Sequence, residues 1–68
     1  MTNTFEIYEW PIYEDDETWH LVETVKKLNN ISYDKAIERA NEIFNNSDSV
    51  GVKIVQNGIT IYLLRIPQ

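Results

Sequence analysis

The 68-residue chain contains no cysteine, only two glycines and a single histidine. Without cysteine it has no disulfide framework and no thiolate metal site, and a reducing, cytoplasmic location is expected. The two glycines, Gly51 and Gly58, form no glycine-rich phosphate loop. No apolar run is long enough to cross a membrane, so we expect no membrane partner.

The residues that nucleophilic catalysis requires are also scarce. The one histidine, His20, lies in a predicted strand, and no Gly-x-Ser-x-Gly sequence is present. Four adjacent carboxylates are present at residues 14–17. Acid–base catalysis, however, needs a cleft that desolvates one member of a carboxylate pair. A charged loop in so small a domain is solvated, and no EF-hand pattern accompanies it. We therefore predict a non-enzymatic protein with no cofactor and no specific metal site.

Basic residues are missing from the first third of the chain. The net charge is −5, yet residues 1–25 carry seven acidic and no basic side chains. Residues 26–68 carry six basic and four acidic side chains. An acidic half repels phosphate and attracts basic protein surfaces, so we expect a protein partner with a basic surface and no direct binding of nucleic acid.

A hairpin signal is present in the last third of the chain. Asn57-Gly58 separates two β-branched runs, residues 50–56 and 59–66. This dipeptide predicts a type I′ turn because both residues tolerate positive φ. The turn sets a register with three facing pairs on the core side, Gln56–Ile59, Ile54–Ile61 and Val52–Leu63. Pro67 is expected to end the second strand.

A helix is predicted before the hairpin. Ser32 is a suitable N-cap, and a polar loop at residues 45–49 ends the segment. One apolar stripe has helical spacing, formed by Tyr33, Ala36, Ile37, Ala40, Ile43 and Phe44.

Two further strands are predicted at residues 4–10 and 18–25, joined by a charged loop, although neither alternates cleanly. The core residues expected on them are Phe5, Ile7, Trp19, Leu21 and Val25. The fold class is therefore α+β, hairpin–helix–hairpin (ββαββ), as one domain spanning residues 1–68, with one helix on one face of a four-stranded sheet. This element order is shared with β-grasp domains as a likeness of topology, and a plain antiparallel meander pair is equally allowed.

The predicted partner-binding surface combines acidic and aromatic residues. The acidic members are expected to steer association, and Tyr and Trp on the uncovered sheet face are typical interface anchors. The residues are Glu9, Glu14, Asp15, Asp16, Glu17, Glu23, Trp10, Tyr8 and Tyr62.

These features predict an inhibitor that docks on a basic, nucleic-acid-binding site of another protein, for example a nucleic-acid-binding enzyme. Short acidic chains without motifs resemble phage anti-restriction and anti-CRISPR proteins in style. The alternatives are an accessory or assembly subunit, a homodimer through the free sheet face, and, ranked lower, a single-stranded nucleic-acid binder.

Overall fold

Four strands and one helix follow one another in the predicted order. The computed structural model describes residues 3–66, so the predicted role of Pro67 lies outside the described residues. The elements are β1 (Thr4–Pro11), β2 (His20–Lys26), α1 (Ser32–Asn46), β3 (Ser49–Gln56) and β4 (Ile59–Arg65). The predicted α+β, ββαββ fold class is confirmed.

The strands form one antiparallel sheet in the order β2-β1-β3-β4. Strands β1 and β3 occupy the centre, so the two hairpins lie side by side through their first strands. Central strands have a neighbour on each side and lose most water contact, and their apolar helix-side residues are buried. Phe5 and Ile7 on β1 and Val52 and Ile54 on β3 are all buried. These side chains form the floor on which the helix packs.

Helix α1 packs on the sheet through the predicted apolar stripe. Ala36, Ala40 and Ile43 are buried, and the other three members of the stripe pack against the core, so this prediction is confirmed. The predicted N-cap is wrong, because Ser32 is already inside the helix. Its buried hydroxyl instead accepts hydrogen bonds from the backbone N–H groups of Leu28 and Asn29, at 2.8 and 3.1 Å. Ser32 therefore closes the turn that precedes the helix.

The β3–β4 turn has the predicted backbone. Asn57 has φ 53° and Gly58 has φ 79°, and two consecutive positive values are what a type I′ turn requires. Gln56 pairs with Ile59, as predicted.

Beyond the first two pairs, a β-bulge changes the predicted register. Val55 pairs with Thr60 but Ile54 pairs with Tyr62, which leaves Ile61 as an extra residue. An extra residue reverses which face the following side chains occupy. Tyr62 and Leu64 therefore lie on the helix side and pack against the core. The prediction that Ile61 and Leu63 face the core as partners of Ile54 and Val52 is wrong.

A second bulge alters the predicted core of β2. Ile7 pairs with Glu23 and Tyr8 with Leu21, so Val22 is the extra residue. Val25 stays on the helix side and packs against the core, whereas Leu21 turns to the other side and is 53% exposed. The prediction of Leu21 as a core residue is wrong for this reason.

The buried centre of the sheet gives a stability prediction. Ile54→Ala should lower the free energy of unfolding by about 2–5 kcal/mol, because Ile54 is completely buried and its truncation leaves a cavity in the core. Ile59→Ala is the matched control, since Ile59 is 65% exposed, and should change stability by less than about 0.5 kcal/mol. Urea unfolding followed by circular dichroism measures both. Equal losses would contradict the assigned core.

The turn gives a second prediction. Gly58→Val should destabilise the protein by about 1 kcal/mol or more, because a β-branched residue resists positive φ. Gly58→Asn should destabilise the protein clearly less, because asparagine tolerates positive φ. The space around Gly58 is open, so steric clash cannot produce the difference. Thermal melting of the two variants compares them, and an equal loss would argue against a φ-based cause.

Candidate protein-binding surface

The sheet side turned away from α1, called here the open face, carries a row of side chains that crosses all four strands. The paired residues along the row are Leu21, Tyr8, Lys53 and Leu63. Its two ends are exposed leucines, 53% for Leu21 and 48% for Leu63. Tyr8 and Lys53, in the middle, are half-buried. The row therefore has apolar ends and an aromatic and a cationic side chain in its middle.

Next to this row, two tryptophans lie together on the open face. The ring centroids of Trp10 and Trp19 are 6.0 Å apart with an interplanar angle of 64°. This edge-to-face geometry is a favourable one for aromatic rings. The Trp19 side chain reaches across to β3, where a Cβ added to Gly51 would be 3.1 Å from its ring and 3.0 Å from the Leu64 carbonyl oxygen. Gly51 therefore provides the space in which the Trp19 ring lies.

Two cations complete this group. The Lys53 ammonium is 4.5 Å from the Trp19 ring centroid and 5.7 Å from that of Tyr8. The Arg65 guanidinium is 5.8 Å from the Trp10 ring centroid. Such cation–π contacts are worth about 0.5–1 kcal/mol each at exposed positions. We call these five residues, Tyr8, Trp10, Trp19, Lys53 and Arg65, the aromatic cluster.

The Tyr8 hydroxyl points toward Glu6 and donates a hydrogen bond of 3.3 Å to its carboxylate. Partial burial, followed by the negative charge and hydrogen bond of Glu6, raises the pKa of Tyr8 above its usual value of 10.0. The phenol therefore stays neutral and keeps its hydrogen-bonding capacity through the physiological pH range.

The four carboxylates Glu14, Asp15, Asp16 and Glu17, called here the acidic loop, adjoin the aromatic cluster. The Trp10 Nε1–H donates to the Glu14 carbonyl oxygen at 3.1 Å, which ties the loop to the ring. The Glu14 carboxylate is 3.5 Å from His20 Nε2. Within residues 3–66, the other three carboxylates form no ion pair, and all three are exposed. The structure thus joins uncompensated negative charge to an aromatic surface.

Three of the predicted binding residues lie away from this surface, on the helix side of the sheet. Glu9 accepts a hydrogen bond from the Ser49 hydroxyl. Glu23 accepts the Arg39 Nε–H at 2.9 Å, and bonds to Glu23 and then Glu42 raise the pKa of Arg39. The Tyr62 hydroxyl is 3.4 Å from the Asn41 amide nitrogen of α1. The predicted placement of Tyr62 on the open face is wrong, because the Ile61 bulge reverses its side.

The predicted binding residues omit three members of the aromatic cluster, which are Trp19, Lys53 and Arg65. Trp19 is predicted to be a core residue, but it precedes β2 and crosses the open face. Arg65 reaches the open face because the Ile61 bulge reverses the parity of the second half of β4. The only sequence signal for this arrangement is Gly51, a residue without a side chain inside a β-branched strand.

Within residues 3–66, no group of three or more His, Asp or Glu side chains is arranged so that it could hold a metal ion. In the same part of the chain, no helix has the length and apolar character needed to cross a membrane.

The position of Trp19 over Gly51 gives a testable prediction. Gly51→Ala should destabilise the fold by about 1–3 kcal/mol, because its Cβ would press on the Trp19 ring and the Leu64 carbonyl. In a Trp19→Ala background the same change should destabilise the protein less, since one of the two contacts is gone. A double-mutant cycle by chemical unfolding measures this coupling. An identical loss in both backgrounds would show that Trp19 does not lie on Gly51.

Comparison of the chain with protein-family models, with curated proteins and with solved structures gives no match. The geometry and charge of the surface are therefore the basis for a functional proposal.

Proposed function

We propose that this protein is a non-enzymatic binding domain that docks on a basic surface of another protein. The observation that carries the proposal is the junction of the aromatic cluster with the acidic loop through the Trp10–Glu14 hydrogen bond. Anchoring and steering groups thus lie side by side, so one partner surface can contact both.

The aromatic cluster supplies the anchoring part of this surface. Tyr and Trp dominate the binding energy of protein interfaces because they bury large, rigid rings with little loss of conformational entropy. Tyr8, Trp10 and Trp19 are half-buried, so their rings are already held in place by the sheet and by one another. Exposed Leu21 and Leu63 extend the apolar area toward both sheet edges.

The acidic loop supplies the steering part. Asp15, Asp16 and Glu17 have no cationic partner within residues 3–66, so their field extends into solvent. Uncompensated charge of one sign accelerates association with a surface of opposite sign and acts mainly on the on-rate. A basic partner is the chemistry that this loop favours.

The finer form of the proposal is that the basic surface of the partner normally binds nucleic acid. Closely spaced carboxylates can take positions that phosphates would occupy, and docking would then exclude the nucleic acid. The domain would act as an inhibitor of a nucleic-acid-binding protein, for example a nucleic-acid-binding enzyme. The support for this form is the density of carboxylates at residues 14–17.

The test begins with capture of the partner from cells that make the protein, followed by binding kinetics on the purified pair. Asp15→Asn with Asp16→Asn should slow association several-fold and reduce its dependence on salt, because two steering charges are lost. Trp10→Ala should instead raise the off-rate, since the ring is an anchor. Stopped-flow or surface plasmon resonance separates the two rates.

The matched control for the charge change is Asp34→Asn with Glu38→Gln. Both side chains are exposed on α1, away from the open face, and their removal changes net charge by the same amount. An equal slowing by both pairs would mean that overall charge, and not the acidic loop, directs association. If the partner keeps its nucleic acid bound in the complex, the inhibitor role is contradicted, but the proposal of a protein-binding domain is not.

Lys53 and Arg65 over the rings support a second candidate, binding of single-stranded nucleic acid by stacking on the open face. We expect it to be disfavoured by the neighbouring carboxylates. Titration of a mixed-sequence oligonucleotide at low salt, followed by tryptophan fluorescence, should show no saturable quenching. Saturable quenching that Trp19→Ala abolishes would favour this candidate over the first.

A further inference from the structure

The open face has an exposed leucine near each side of the sheet, one on β2 and one on β4. In the row that crosses all four strands, Leu21 and Leu63 form the ends, with Tyr8 and Lys53 between them. Neighbouring strands are about 4.8 Å apart, so each leucine is roughly 7 Å from the line that runs between β1 and β3. A half-turn about an axis above the face and parallel to that line therefore places Leu63 of a second copy over Leu21, and the reverse pair follows by symmetry.

The two halves of the sheet are opposite in charge. The half formed by β1, β2 and the acidic loop, residues 4–26, carries seven acidic side chains and one basic side chain. The half formed by β3 and β4, residues 49–65, carries two cations and no acidic side chain. The same half-turn lays the acidic half of each copy over the basic half of the other. The contact is therefore attractive although each copy is negative overall.

Each cation of the basic half meets an opposite charge in this arrangement. Within residues 3–66, neither Lys53 nor Arg65 forms an ion pair. The two Arg65 side chains lie on the β4 strands, at opposite sides of the pair, and each faces the acidic loop of the other copy. Lys53 faces Tyr8 of the second copy, because β3 of one copy lies over β1 of the other. The Glu6 carboxylate is hydrogen-bonded to that tyrosine at 3.3 Å, so the ammonium meets both a ring and a negative charge.

We propose that two copies pack open face against open face, with the β1–β2 half of each over the β3–β4 half of the other. The dimer has four layers, with two sheets at the centre and one helix on each outer side. Sheets that pack face to face in this way lie about 10 Å apart with nearly aligned strands. The occupant is a second copy because the face is complementary to itself, with leucine over leucine and carboxylates over cations. Leu21 and Leu63, 53% and 48% exposed in one copy, are thereby removed from water.

The dimer uses the surface that is proposed above to bind another protein. A second copy and that partner therefore compete, and only this competition rests on the proposed function. The dimer itself is measured with the purified chain alone. A chain that stays monomeric leaves the protein-binding proposal standing, and failure to find a partner leaves the dimer standing.

The experiment is sedimentation equilibrium of the full chain over a range of concentrations, with paired variants in the row. The mass of the wild type should rise toward twice the monomer mass. Leu21→Lys and Leu63→Glu should each weaken dimerisation by about tenfold or more, because each places a charge against a leucine of the second copy. The two changes in one chain should restore the dimer, because each introduced lysine then faces an introduced glutamate.

Ile59→Glu is the matched control for Leu63→Glu. It makes the same charge change on the same strand, but Ile59 pairs with Gln56 at the turn and lies on the helix side, 65% exposed. Dimerisation should stay within about twofold of the wild type. Circular dichroism of every variant checks that the fold is retained, as expected for changes at exposed side chains.

Tryptophan fluorescence provides a measurement that needs no variant. The chain has two tryptophans, Trp10 and Trp19, and both lie in the proposed contact. Their emission should shift to shorter wavelength, and quenching by acrylamide should decrease, as the concentration of the chain rises. A monomer at every concentration, an emission that ignores dimerisation, or equal weakening by Leu63→Glu and Ile59→Glu would overturn the proposal. A double variant as weak as the two single variants would overturn the placement of Leu21 over Leu63.

Discussion

One helix of 15 residues cannot cover both faces of a four-stranded sheet, and most features of this protein follow from that limit. The helix buries Phe5, Ile7, Val52 and Ile54 on one side, which is where most of the hydrophobic free energy is gained. The other side must be covered by its own side chains. Large aromatic rings do this economically, and the Trp19 ring extends across the sheet to cover Gly51.

Single extra residues decide which side chains belong to which face. The bulges at Val22 and Ile61, and a third at Val50 opposite the end of β1, each interrupt the two-residue period of a strand. Through them Tyr62 is moved to the helix and Leu21 to the open face. The same device places Arg65 over Trp10, so the cations and rings of the open face meet only because the register is interrupted.

The features that the sequence predicts correctly have their causes within a short stretch of chain, whereas the features that it misses depend on residues far apart in sequence. The Asn57-Gly58 turn and the apolar stripe of α1 are recognisable because their causes lie within a few residues of one another. Bulges depend on the partner strand. A prediction that assumes a strict two-residue period therefore places Tyr62 and Leu21 on the wrong faces.

The residues of the candidate site divide in the same way into predictable and unpredictable ones. Tyr8, Trp10 and the acidic loop could be named from composition and parity, and the structure places them together. The position of Trp19 could not, because glycine in a strand indicates only that a side chain is missing. It does not indicate which distant ring fills the space.

The central position of β1 in the sheet also affects the order in which the protein can assemble. Its neighbour β3 begins at Ser49, whereas each hairpin joins strands that are close in sequence. Closing the long intervening segment has an entropy cost that local contacts do not share. During synthesis, β1 therefore lacks one of its two neighbouring strands until the ribosome has released β3. That interval is when the chain is most exposed to chaperones, proteases and other nascent chains.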